Sequence, residues 1–239
     1  MSNDGIKDKI QYGSKEIEYT MRRSQRKTLE ISVEPDTSIS VVAPLGTPAS
    51  AIREKIKKRS RWIIRQQTYF TDFLPLMPKK EYVSGESFRY LGRQYRLKVI
   101  ETNETSIKII DKRLAVEVND KNDIAQIKKL VENWYLMQAK HYFLKCLDRL
   151  WPLFSENTQP LPTLIVRKMP KRWGSYTSSG KILLSVELIQ APSHCIDYVV
   201  VHELCHTFYR DHSPTFFALL EKIMPDWKTR KKKLESYSV

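Results

Sequence analysis

The sequence predicts an α+β fold, and three observations carry that expectation. Short runs that alternate or are rich in β-branched residues cluster before residue 120. Helical signals follow Thr47-Pro48 and again follow Asn122. A further helical stretch begins near Ser193 and holds the most distinctive side chains. The pattern divides the chain into a polar, flexible start (residues 1–12), a strand-rich region (13–120) and a region of long helices with the candidate site (121–239).

The elements follow in order. Residues from about Ile17 to Pro44 read as short strands, among them Thr28–Val33 and Ser38–Ala43. The turn signal Glu34-Pro35-Asp36-Thr37 makes those two a hairpin. Thr47 offers a hydroxyl cap and Pro48 a first helical position. Ile52, Ile56, Ile63 and Phe70 give that helix its apolar stripe, and Pro75 and Pro78 mark a break. Strands follow at Ser87–Tyr90, Gln94–Ile100, Ser106–Ile110 and Leu114–Val118, with turns at Gly92 and Asp111–Arg113. A long helix should run from about Asn122 to Leu150 on Ile124, Ile127, Val131, Trp134 and Leu147, ended by Pro152. Beyond Pro160 and Pro162, Leu164–Arg167 reads as a strand, Lys171–Gly180 as a polar loop and Lys181–Glu187 as a strand. The basic tail Lys228–Lys233 closes a last helix, and no internal repeat is visible.

Composition bounds the function classes. With 239 residues, 41% hydrophobic and 28% charged, the chain can bury a core and is not globally disordered. A formal net charge of +14 favours anionic partners such as nucleic acid, nucleotides or acidic segments. The basic run Arg53–Arg65 admits a nucleic-acid contact, but no stacking platform or binding motif accompanies it. A solvated helix face is the simpler reading. No 18-residue apolar stretch occurs, and MSNDGIKDKI lacks the apolar core of a signal peptide, so no membrane partner and a cytoplasmic location are expected. Cys146, Cys195 and Cys205 are odd in number and form no Cys-x-x-Cys pair, a reduced pattern.

The decisive stretch is Val201-His202-Glu203-Leu204-Cys205-His206. Residues four apart lie about 40° apart around a helix and one turn in height, so His202 and His206 can face one metal ion. Glu203 is rotated roughly a quarter turn away and can stand beside the metal's water instead of ligating. Three neutral imidazoles and an open position are the usual donor set of catalytic zinc. The third candidate is His212. Six residues beyond His206, a continuing helix would point it away by about 240°, so the chain must turn. Ser213-Pro214 supplies a new helix start, which leaves His212 in the corner before it. The ligand spacing equals that of the metzincins, but Tyr209 stands where they carry glycine and no Met-turn follows, so that assignment is not supported. Cys205 is offset by about 100° from His206 and does not close the site.

These residues resemble the YgjP-like metallopeptidase-like proteins, related to the SprT-type zinc metalloproteases. The likeness runs through Lys171-Arg172-Trp173-Gly174-Ser175, Ile182–Leu188, Asp197–His206, Asp211–Ser213 and Phe216-Phe217. It also includes Arg22–Ser24, Val42–Pro44, Trp62-Ile63, Ser84–Glu86 and Tyr90–Gly92. Tyr176 departs from it, since the family often has cysteine after Trp-Gly-Ser. The resemblance implies a carboxy-terminal zincin-like metal-binding core, with zinc on His202, His206 and His212 and Glu203 catalytic. It leaves the substrate open, because some members are described as UTP pyrophosphatases.

Three chemistries compete. In peptide hydrolysis, Glu203 moves the water proton, Lys181–Glu187 serves as an edge strand for an extended peptide, and Tyr176 and Arg172 are oxyanion candidates. In nucleoside triphosphate hydrolysis, Arg167, Lys168, Lys171 and Arg172 hold phosphates and Trp173 stacks on a base, although zinc is less usual than magnesium there. Arg172, Trp173 and Tyr176 are thus the substrate-binding candidates. The third is a DNA-associated binding or protein-processing module. Glu203 argues against a purely structural zinc, which has no use for a base. The oligomeric state is not determined by any of these residues.

Overall fold

The computed structural model describes residues 5–34, 36–71, 80–154, 160–169 and 172–237, with only the backbone of Tyr69 and Phe70. Pro75, Pro78, Lys171 and the side chain of Phe70 therefore lie outside the described residues. The architecture is α+β, in two compact units of residues 1–78 and 79–238.

In the first unit, β1 (Ile6–Tyr12), β2 (Lys15–Ser24), β3 (Glu30–Val33) and β4 (Ile39–Pro44) form one sheet, followed by α1 (Ala49–Thr71). The strand order is β1-β2-β4-β3, with antiparallel outer pairs and a parallel β2–β4 pair. The hairpin expected around Glu34–Thr37 is β3–β4. Ile52, Ile56 and Ile63 are fully buried against Ile17, Met21 and Val41, so the stripe read from the sequence is the inner face of α1. The start of the chain corrects the sequence reading: residues 6–12 are a strand, not a flexible tail. Its polar residues hide a period of two. Ile10 turns inward opposite Ile17, and Lys9 pairs outside with Glu16. Asp8 accepts from the Tyr19 hydroxyl at 2.6 Å and pairs with Arg53 of α1 at 3.0 Å.

The second unit opens with β5 (Ser87–Tyr90), β6 (Arg93–Glu101), β7 (Ser106–Ile110) and β8 (Arg113–Val118), followed by α2 (Ile124–Leu150). The order is β5-β6-β8-β7, again with antiparallel outer pairs around a parallel pair. The two units therefore share a four-strand-plus-helix topology. This corrects the absence of a repeat inferred from sequence: strand order and pairing sense recur where residue identities do not.

The helix α2 explains why the boundary lies at residue 78 instead of 120. Its buried residues, from Trp134 round to Leu147, spread over roughly 220° of the helix, wider than the face a helix packed on one side buries. Besides β7 and β8, α2 packs against α3, which carries His202 and Glu203, and against the segments Thr163–Arg167 and Val186–Gln190 that flank the site region. A single core thus runs from Phe88 through Phe143 to Leu234. Asp123 caps the helix by accepting from the N–H of Gln126 at 2.9 Å, and Pro152 turns its end into a 3-10 segment, Trp151–Phe154. Ile124, read as an apolar position, is 39% exposed.

A third sheet has the order β10-β11-β9, from β9 (Thr163–Arg167), β10 (Gly174–Tyr176) and β11 (Lys181–Ser185). Two expectations change here. The polar loop Lys171–Gly180 contains β10, three residues held by pairing with β11 and not by propensity. Lys181–Glu187 is not an edge strand: β11 is central, and a 3-10 segment follows from Val186 to Gln190. Next come α3 (Ser193–Cys205), α4 (Pro214–Ile223) and α5 (Trp227–Glu235). The β5–β6 turn locks onto the approach to α3, with Leu91 N–H donating to Ile189 at 2.9 Å and Gly92 N–H to Gln190 at 3.1 Å. Among the described residues no helix is long and apolar enough to cross a membrane.

Candidate metal centre

The apolar run Ile196–Val201, broken by Asp197, buries the middle of α3; Ser193 and His194 are exposed at its start, and His202 and the C-cap His206 are half-buried at its end. The helix stops at Cys205, and Thr207 and Phe208 close the next turn onto the carbonyls of Leu204 and Cys205. No described residue between 206 and 213 has a positive φ, so Tyr209 fits where a sharper turn would demand glycine. The carbonyl of Tyr209 faces Nδ1 of His206 at 2.8 Å. A carbonyl can only accept, so Nδ1 carries the proton and Nε2 keeps its lone pair.

Ser213 then caps α4, accepting from the N–H of Phe216, with Pro214 at the first helical position. This cap has two results. It fixes His212 in the corner, and it puts Phe216 beneath the cluster, with ring centroids 5.0, 4.7 and 4.8 Å from His202, His206 and His212. One nitrogen from each histidine lies within 4.8 Å of the others. Nε2 of His202 and Nε2 of His212 are 3.0 Å apart. Two tetrahedral zinc ligands at 2.0–2.1 Å would be separated by about 3.3 Å, so the donor set fits such an ion.

Electrostatics point the same way. Burial, then the neighbouring His206, His212 and Lys231, push His202 down to about 3, and His212 is lowered chiefly by burial. Both rings are therefore neutral, the form that binds a metal. Nδ1 of His202 is buried without a hydrogen-bond partner among the described residues. Such a group costs about 1–3 kcal/mol, and it is the ring nitrogen opposite the one that faces His212.

Glu203 is 5% exposed and faces β10, the outer strand. A Cβ on Gly174 would lie 2.6 Å from its Oε1 and 2.9 Å from its Cγ, so the carboxylate occupies the space a side chain would fill. Burial pushes Glu203 up to about 8, opposed by a hydrogen bond from the backbone N–H of Tyr176 and by the charge of Arg172. Burial also pushes the Cys205 thiol up to about 12, and it is not among the clustered ligands.

The structure brings one nitrogen each of His202, His206 and His212 within 4.8 Å of one another, while Glu203, next to His202 on α3, faces β10. Tyr176 reaches Glu203 through its backbone, while its hydroxyl lies near Gly180. Arg172 is exposed, and Trp173 is half-buried, its carbonyl accepting from Ser185 N–H at 2.8 Å. Sequence reasoning missed the roles of Phe216, Gly174 and Lys231. A cap followed three residues later by an aromatic was the available signal for Phe216; nothing in the sequence marked the space at Gly174.

Residues 27–237 match the family profile described as YgjP-like, metallopeptidase domain. The chain belongs to the YgjP-like metallopeptidase family. A YgjP-like chain is a metal-dependent, peptidase-like hydrolase. Among solved structures, the metallopeptidase zymogen of Methanocaldococcus jannaschii jannalysin is similar to 38% of this chain and 92% of its own, with 16% identity and a TM-score of 0.34. No curated protein matches.

Proposed function

We propose that this YgjP-like protein is a zinc-dependent peptidase with Glu203 as general base. The observation that carries this reading is the convergence of three imidazoles, with the buried side chain of Glu203 next to His202 on α3 and against the outer strand β10. His202, His206 and His212 would hold the metal. When bound, zinc supplies Lewis-acid polarisation of a carbonyl and a lowered water pKa. Glu203 takes the proton of the attacking water on a carboxylate oxygen and passes it to the leaving amine. The Tyr176 N–H holds one side of that carboxylate in place and, with the charge of Arg172, favours its ionised form against burial. The outer position of β10 gives an extended peptide a strand to pair with, a role the sequence had assigned to β11.

A second reading is nucleoside triphosphate (UTP) pyrophosphate hydrolysis at the same residues. It is favoured by two cations that act on the site: Arg172 on Glu203, and Lys231 on His202 and His212. Zinc-loaded wild type and Glu203→Gln, offered unfolded protein and a panel of nucleoside triphosphates, separate the two. The expected result is cleavage of protein that falls about 10²–10⁴-fold in the variant while zinc content is unchanged. Turnover of triphosphate alone would give the site to the second reading. Full activity in Glu203→Gln would remove Glu203 as base in either.

A further inference from the structure

The first unit holds a groove that the metal centre does not use. It lies between β3 and α1 and has a volume of 490 Å³. Arg26, Lys55, Lys58 and Arg59 supply its charge, and half-buried Leu29 and Ile31 its apolar lining. Glu30 is the carboxylate among the lining residues, and Arg26 pairs with it. Lys58 pairs with Glu54 at 2.7 Å on the outer surface of α1. Lys55 and Arg59 have no acidic partner among the described residues.

A solvated helix face would spread its cations outward. Here four of them border one concavity, where like charges repel and the low-dielectric wall strengthens their field. Lys55 and Arg59 are one helical turn apart on the same face, a spacing suited to a line of anions. The charge also extends past the groove, since α1 carries seven basic residues against one acidic over 23 residues, about 34 Å of helix. That length exceeds what one nucleotide or phosphate would use. Leu29 and Ile31 offer bases an apolar surface that an acidic peptide has no need of, and the Arg59 guanidinium, 6.0 Å from the Trp62 ring beside the groove, offers a planar one.

We infer that this groove binds a single strand of nucleic acid, with the phosphodiester backbone along Lys55, Lys58 and Arg59 and bases against Leu29 and Ile31. Contact is independent of sequence and rests on the first unit alone, apart from any catalytic reading.

The test uses the full chain and a fluorescently labelled 20-nucleotide oligo-dT, with anisotropy followed across a salt series. Three phosphate contacts predict a slope of about −2 in log K against log salt. Lys55→Ala/Arg59→Ala should weaken binding about tenfold or more at low salt and make the slope shallower by about 1.4, with the melting temperature and zinc content unchanged. Lys228→Ala/Lys232→Ala on α5 should leave binding intact. Three results would overturn the inference: no binding by wild type at low salt, loss of binding only in the α5 variant, or displacement by poly-glutamate as readily as by unlabelled oligo-dT.

Discussion

The two four-stranded modules share strand order and pairing sense, yet among the described residues only the unit of the second carries the histidine cluster. What separates them is the outer face of the helix that follows each sheet. In α1 that face bears lysine and arginine, and the helix is buried on one stripe. In α2 the buried arc is wider, leaving a narrower charged face, and a third sheet and three further helices share its core. The lesson is that the topology is a platform. The amphipathicity of one helix decides whether the platform ends in solvent or supports another layer.

The sharpest way to break this comparison is a matched pair of core truncations. Phe143→Ala in α2 should cost about 3–5 kcal/mol and Ile56→Ala in α1 about 2–5 kcal/mol. Only the first should also reduce zinc retention, because Phe143 lies in the core that includes α3. Chemical denaturation followed with and without zinc reads both; equal loss of zinc in the two variants would end the distinction.

Gly174→Ala probes the layer that the first module lacks. Its new Cβ would displace the Glu203 carboxylate, so kcat should fall about 10²-fold with KM and zinc content nearly unchanged. A variant of full activity would show that the carboxylate does not need that space.

The first turns of the two modules give a smaller, matched contrast. Gly13 and Gly92 both have positive φ, but a Cβ on Gly13 meets nothing while one on Gly92 lies 2.9 Å from the Pro192 Cα. Gly13→Ala should cost about 1–2 kcal/mol for the backbone alone. Gly92→Ala should cost more, and thermal melts of the two variants measure the difference.

The smallest effect concerns the first unit and acid. Arg53, then Tyr19, hold Asp8 below the usual carboxylate range. A lowered folded pKa means that the contribution is present above about pH 4, the unfolded value, and is lost as pH falls below it. Asp8→Asn should therefore remove about 0.2–1 kcal/mol at pH 7 and flatten the acid limb of this unit's stability curve. Hydrogen exchange of amides in β1 and β2 against pH would show it.

The sequence by itself determined most elements and the three histidines that converge. Alternation gave β3 to β8, Thr47-Pro48 and Ser213-Pro214 gave two helix starts, and helical spacing put His202 and His206 on one face. These are local properties of the chain, legible because a period or a cap involves only neighbours. Tertiary structure decided the rest. The strand β1 exists because Ile10 meets Ile17 and Asp8 meets Arg53, and β10 exists because β11 pairs with it. His212 reaches His202 only because Ser213 and Phe216 start α4 at that place. The space at Gly174 holds Glu203 only because β10 lies against α3. Each of these depends on residues far apart in the chain or on the path of a turn, and the free energy that selects them comes from burial and pairing that a linear pattern does not contain.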